Sequence, residues 1–341
     1  MSAPFLTSVT RISDLNTAPF DTRPLDREYW DDGDYVIAEI VGTPSALYQA
    51  ELASGRIVQT LPGDFVIGAF GHRAATLEGV GSWTAITDTS MHALTGAGLF
   101  GKFTSLSPLI PRPMALRYHG HITRRDTKVC MHDFAITSPE RKLAAPVVLV
   151  VGTSMSAGKT TTGRLIVHEL ASLDLKVIGT KLTGAGRYRD ILSFRDAGAE
   201  AVFDFVDAGL PSTVIPEPAF RSAIRPLLSH IASREPDVVL VEAGASPLEP
   251  YNGAAAIDEI HDQMRCTVLC ASDPYAVVGV QQAFGLRPDL VTGPAANTTA
   301  GIALVKKLSG VDALNGLDPD APAGLRRMLE KTLAVKFPAN S

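Results

Sequence analysis

Two rhythms of apolar and polar positions divide this 341-residue chain. As far as about residue 135, apolar residues gather in short runs rich in β-branched and aromatic side chains. These runs are DYVIAEIVG, ALYQAEL, GRIVQTL, DFVIGAFG, MALRYHGHIT and KVCMHDFAI, separated by turn clusters such as ASG and PGD. Short strands with no intervening helical period predict a β-rich domain over 1–135, barrel-like or sandwich-like. Residues 136–146, ITSPERKLAAP, read as a linker. From 147 the runs VVLVVG, KVIGTKL, DVVLVEAG, CTVLCAS and DLVTGPAA are apolar nearly throughout and alternate with helix-length stretches. Strands apolar on both faces belong to a mostly parallel sheet covered by helices, so 147–341 is expected to be an α/β domain.

The junction of strand and helix at 147–170, VVLVVGTSMSAGKTTTGRLIVHEL, carries the first chemistry. Gly152, Gly158, Lys159 and Thr160 spell G-x5-G-K-T, one residue longer than the usual G-x4-G-K-[ST] phosphate loop. Leu165, Ile166, Leu170 and Leu173 continue with a helical period. The loop therefore opens a helix whose first N–H groups and dipole end face an anion. Thr153, Ser156, Ala157 and Thr161 complete the expected nucleotide cradle with Gly152 and Gly158. Lys159 is the phosphate cation and the Thr160 hydroxyl a Mg2+ ligand.

The loop GTSMSAGKTT resembles that of dethiobiotin synthetase and the related cobyrinic acid synthetase-like P-loop enzymes. KLTG, Lys181 to Gly184, is similar to their K-P-V-x-[ST]-G, and VEAGAS, Glu242 to Ser246, to their V-E-G-A-G-G. A second resemblance, to the D-glutamate N-acetyltransferase-like P-loop family, rests on the loop and on VEAGASPLEPYNG with Pro250 and Tyr251. Both cover about residues 147–310 and leave the β-rich half unexplained. Ser154 stands where both families usually have Asp, and no Pro follows Lys181. The first resemblance implies a P-loop NTPase fold and an ATP- and Mg2+-dependent enzyme, ligase or kinase-like, that activates a small carboxylate by phosphoryl transfer. The second implies a coenzyme A-dependent N-acyltransferase.

Strand-end positions supply the other candidates, since ligands collect at the carboxyl ends of an open α/β sheet. Glu242 is expected as a Mg2+ ligand or its support, and Lys181 as a cation facing the γ-phosphate. Asp237, at the opposite end of the Glu242 strand, is not assigned to the metal. Arg187 and Arg189 offer guanidinium forks for a carboxylate or phosphate. Ser246, Glu249 and Tyr251 are candidate substrate contacts, and Asn297, matching an asparagine of the synthetase family, is a candidate for holding the base. No Asn-Lys-x-Asp guanine motif occurs, which favours adenine and hence ATP. A partner-binding switch ATPase is a further alternative, disfavoured by the absence of a second lysine early in the loop.

Composition narrows the partners. Net charge is −5, so no global basic field draws nucleic acid. The start, MSAPFLTSVTRISDLN, lacks a secretory pattern, and no apolar run reaches the roughly 18 residues of a membrane helix. With three cysteines, a cytoplasmic setting is expected, and Cys266 and Cys270 read as core residues of one strand. His119 and His121, two apart, are expected on one strand face with Cys130 and His132 beside them. A metal site there is the rarer reading. The expected partner is a small molecule, with a homodimer left open.

Overall fold

The computed structural model describes residues 3–43, 45–47 and 49–337. Tyr48 of the ALYQAEL run and the last four residues of the 147–341 assignment lie outside the described residues. The chain divides into two compact units. One comprises Met1–Thr137, Gly184–Arg189 and Phe205–Leu227. The other comprises Ser138–Thr183, Asp190–Asp204 and Leu228–Ser341.

In the first unit the strand Tyr35–Val41 pairs antiparallel with Phe65–Phe70 and with Ala115–Arg124. Ala115–Arg124 pairs with Ser90–Ala93, and that strand with Leu99–Leu106. Leu99–Leu106 then returns to Phe65–Phe70 in parallel, which closes a five-stranded barrel. Closure removes the open edges that a sheet would otherwise present. Val36, Ile40, Val66, Phe70, Met91 and Phe100 are among the side chains buried in this unit's core. Gly68 permits the close approach at the seam: a Cβ there would lie 2.3 Å from the Gly98 carbonyl oxygen and 2.5 Å from the Phe100 ring.

The expectation that His119 and His121 share a face is corrected. The pairing of Ala115–Arg124 with Tyr35–Val41 shifts register between Tyr118 and Gly120. That irregularity changes the alternation, leaving His119 exposed and His121 fully buried. The Tyr118 hydroxyl lies 2.6 Å from His121 Nδ1, and the buried Asp34 carboxylate lies 3.3 Å from His121 Nε2 and 2.9 Å from Lys128 Nζ. Among the described residues no group of three or more His, Cys, Asp or Glu is placed to hold a metal. Also within this unit, Glu51 accepts the backbone N–H groups of Tyr188 (2.8 Å) and Arg189 (2.9 Å), the first two residues of the helix Tyr188–Asp196.

The second unit is an α/β domain built on a parallel six-stranded sheet. Its six strands lie in the order Ala201–Asp204, Val177–Thr183, Val238–Ala243, Val147–Gly152, Met264–Cys270 and Leu290–Thr292. Every pairing is parallel. Each residue of Val147–Gly152, Val177–Thr183 and Val238–Ala243 is buried, which accounts for the unbroken apolar runs. The chain's helices from 147 onward are α1 (Lys159–Ala171), α2 (Tyr188–Asp196), α3 (Glu217–Ser233), α4 (Gly253–Ile260), α5 (Pro274–Phe284), α6 (Thr299–Ser309) and α7 (Ala321–Leu333); all lie in this unit except the first two residues of α2 and the first eleven of α3, which belong to the other. α1 and α2 approach over the centre of the sheet. A Cβ on Gly163 of α1 would meet the Phe194 ring at 2.8 Å and Leu240 at 3.0 Å. Among the described residues no helix is long and apolar enough to cross a membrane.

Candidate functional site

The strand Val147–Gly152 lies between Val238–Ala243 and Met264–Cys270, so its loop emerges at the carboxyl end of the central sheet. Thr153 is fastened there: its N–H donates to the Cys270 carbonyl oxygen (3.0 Å), and its Oγ1 accepts the Ser272 N–H (3.0 Å). The loop turns through two left-handed residues, Ser156 (φ 63°) and Gly158 (φ 95°). Gly158 is the residue before α1, and its lack of a Cβ makes that conformation inexpensive.

Lys159 begins α1 and folds back beneath the loop. Its ammonium donates to the Ser154 carbonyl oxygen at 2.8 Å, and the residue is 6% exposed. A Cβ on Gly152 would stand 2.7 Å from Lys159 Nζ, so the glycine at the strand end makes room for the lysine. Burial pushes the Lys159 pKa below the usual lysine range, against the opposing pull of Glu242. Thr160 projects from the first turn of α1 and its Oγ1 donates to Glu242 Oε2 at 3.2 Å.

Glu242 and Lys181 owe their positions to strand register. Val150 pairs with Glu242, Glu242 with Lys181, and Lys181 with Asp204. Register partners in a parallel sheet point to one face, so an acid, a lysine and an acid stand side by side on adjacent strands. Asp190, from α2, completes the group: its Oδ2 lies 2.6 Å from Lys181 Nζ, while Glu242 Oε1 lies 3.9 Å away. Burial alone would depress the Lys181 pKa, yet Asp190, Glu242 and Asp204 together drive it above the ordinary lysine value. Burial raises the Glu242 pKa, with Lys181, Lys159 and the Thr160 hydroxyl opposing and Asp190 reinforcing.

The structure thus brings together Gly152, Gly158, Lys159, Thr160, Glu242 and Lys181. Ala157 is buried in the loop, whereas Ser156 and Thr161 are exposed. Asn297 is exposed at the end of a short 3-10 turn, Pro294–Ala296, which follows Gly293. A Cβ on Gly293 would lie 2.4 Å from the Ala157 carbonyl oxygen, so this segment rests against the loop between Gly152 and α1. Ser246 is buried, its Oγ accepting the Leu248 N–H (3.3 Å), and Tyr251 is wholly buried. Glu249 is partly buried in the same loop. Arg187 and Arg189 are exposed at the start of α2, in the first unit. Asp237 binds the Lys176 N–H (2.7 Å) at the far end of its strand. Sequence reading missed Asp190 and Asp204. The first lies on a helix nine residues past Lys181, and the second ends a strand, Ala201–Asp204, whose AVFD pattern was not singled out.

These residues fit a Mg2+–nucleotide. The glycines and the helix start leave space and N–H groups for phosphate oxygens, and Lys159 holds a buried charge with one short contact to a carbonyl oxygen. Thr160 and Glu242 provide a hydroxyl and a carboxylate in contact, and Asp190 supplies a second carboxylate close by. Mg2+ commonly takes one or two carboxylates from protein and the rest of its oxygens from phosphates and water.

No protein-family model matches the chain, and the comparison with curated proteins found no match. Among solved structures it is similar to chloroplast FtsY from Physcomitrella patens, at 15% identity and a TM-score of 0.35, covering 54% of this chain and 62% of that one. It is also similar to the signal recognition particle receptor FtsY from Elizabethkingia anophelis, at 17% identity and a TM-score of 0.34, covering 57% and 70%. The GDP complex of that receptor gives 17% identity, a TM-score of 0.35, and 52% and 59% coverage. In the first and third of these the match spans less than two thirds of the FtsY chain. Likenesses this distant assign no activity.

Proposed function

We propose that the second unit binds ATP with Mg2+ and catalyses transfer of the γ-phosphoryl group to a small acceptor. The observation that carries this reading is the meeting of Lys159, Thr160 and Glu242 around the phosphate loop, with Thr160 Oγ1 3.2 Å from Glu242 Oε2. Lys159 and the start of α1 would bind the phosphates, and Thr160 and Glu242 would hold the metal with Asp190 beside them. Mg2+ would neutralise phosphate charge as the terminal group leaves. Preorganised cations at that point lower the barrier because they need no reorganisation during transfer. A small carboxylate is the proposed acceptor, and Ser246 and Tyr251 lie in the loop that follows Glu242.

A second reading, a nucleotide switch that binds a partner protein, is supported by one observation. Lys181 links Glu242, beside the Thr160 hydroxyl, to Asp190 on α2, so a nucleotide bound there would act on a contact of α2. Release of ADP separates the readings. Wild-type protein with MgATP is screened against small carboxylates, then the screen is repeated with Lys181→Ala. Stimulation by a carboxylate that the variant loses supports phosphoryl transfer. No stimulation, with ATP-dependent dimer formation or partner capture, rejects it in favour of the switch. ATP hydrolysis at no measurable rate under any condition rejects both.

A further inference from the structure

The charge arrangement around Lys181 implies a binding step that the proposed function does not contain. Two carboxylates converge on its ammonium, Asp190 at 2.6 Å and Glu242 at 3.9 Å. Glu242 also reaches the other way, its second oxygen accepting the Thr160 hydroxyl. One carboxylate is therefore shared between the lysine and the hydroxyl placed for Mg2+. Lys181 itself is buried, at 7% exposed. Its ammonium compensates acids that would otherwise repel each other in a setting of low polarity.

We propose that Lys181 is an internal counter-cation that occupies the Asp190–Glu242 pair and yields it when the nucleotide-bound divalent ion arrives. The inference rests on the Mg2+–nucleotide reading above. A divalent cation held by Thr160 and Glu242 brings two positive charges to the carboxylate that Lys181 approaches, and the three charges repel across a few ångströms. The four-carbon stem of lysine lets the ammonium retire without movement of the strand. The phosphate oxygens would then be the new anions within its reach, while Asp204, its register partner on the outer strand, already places negative charge beside it. Metal entry and release of Lys181 then form a single exchange. The salt bridge from the sheet to α2 is made in the metal-free protein and given up in the loaded one.

Competition of this kind predicts that removing the ammonium tightens metal binding. Mn2+ affinity is measured by electron paramagnetic resonance in the presence of saturating ADP, which omits the γ-phosphate and any turnover. Lys181→Met is expected to bind Mn2+ roughly tenfold or more tightly than wild type, and Lys181→Arg to remain near wild type. In an Asp190→Asn background the gain from Lys181→Met is expected to shrink. An unchanged or weaker Mn2+ affinity in Lys181→Met overturns the proposal. If wild type binds no ADP with or without metal, it is the nucleotide reading that fails instead.

Should Lys181→Met not fold, the wild-type protein supplies the second measurement. Labelling of Lys181 by an amine-reactive ester, followed by mass spectrometry, is compared for the ADP complex with and without Mn2+. Faster labelling with Mn2+ supports release of the ammonium. Unchanged or slower labelling with Mn2+ bound overturns it.

Discussion

Replacing Lys159 by methionine removes an ammonium while keeping most of the side chain's length and apolar volume. In the protein without nucleotide this group makes one short contact, 2.8 Å to the Ser154 carbonyl oxygen, and burial already disfavours its charge. Its loss should leave the fold intact and its stability unchanged or slightly higher. With nucleotide bound, the ammonium would make a charge-assisted hydrogen bond to phosphate, worth roughly 1.5–3 kcal/mol. Lys159→Met should therefore weaken ATP binding by about 10- to 150-fold, read by isothermal titration with Mg2+ present. The pH dependence has a definite sign. A depressed lysine pKa in the free protein, raised again by phosphate, means that binding takes up a proton. Affinity should be greatest below the free-protein pKa and fall as pH rises through it towards the higher pKa of the complex. Lys159→Met should lack that slope. Wild-type affinity in the variant, or an identical slope, would refute the role given to Lys159.

Three further outcomes are expected. Glu242→Gln should keep nucleotide affinity near wild type but slow turnover on the order of 100- to 1,000-fold, since it preserves shape and removes the charge aimed at the metal; an unchanged rate of ADP release would rule that out. In the barrel unit, burial and the neighbouring Asp31 and Asp34 push the Asp32 carboxyl up to about 7. Its contribution to stability is then fully present below the ordinary aspartate pKa near 4 and is lost as pH rises through about 7. Asp32→Asn should flatten chemical denaturation midpoints across that window, and an unaltered pH profile would contradict it. Gly68→Ala places a methyl group against the Gly98 carbonyl and the Phe100 ring and should cost the barrel about 1–3 kcal/mol, visible as a lower thermal midpoint.

Local pattern carried the elements whose neighbours in sequence are also their causes. The strand Val147–Gly152, the glycine at 158 and α1 follow from an unbroken apolar run, a left-handed position and a helical period in succession. Glu242 and Lys181 were legible because the end of an apolar strand in an α/β domain is itself a location. Asp190 was not, since nothing near it records that α2 returns over Lys181. The barrel was legible as β-rich, but its closing parallel pair, Phe65–Phe70 with Leu99–Leu106, depends on contacts some thirty residues apart in sequence. The register shift after Tyr118 belongs to the partner strand as much as to its own. Simple alternation therefore put His121 beside His119, where the fold buries it.

Titration of the wild-type protein with ATP and with GTP, each with Mg2+ and with EDTA, tests the central claim most directly. The arrangement of Lys159, Thr160 and Glu242 predicts saturable binding with one site per chain. ATP should be preferred, and affinity should fall when Mg2+ is withdrawn. Absence of binding by either nucleotide under both conditions would contradict the account. So would ATP affinity that is identical with and without the metal.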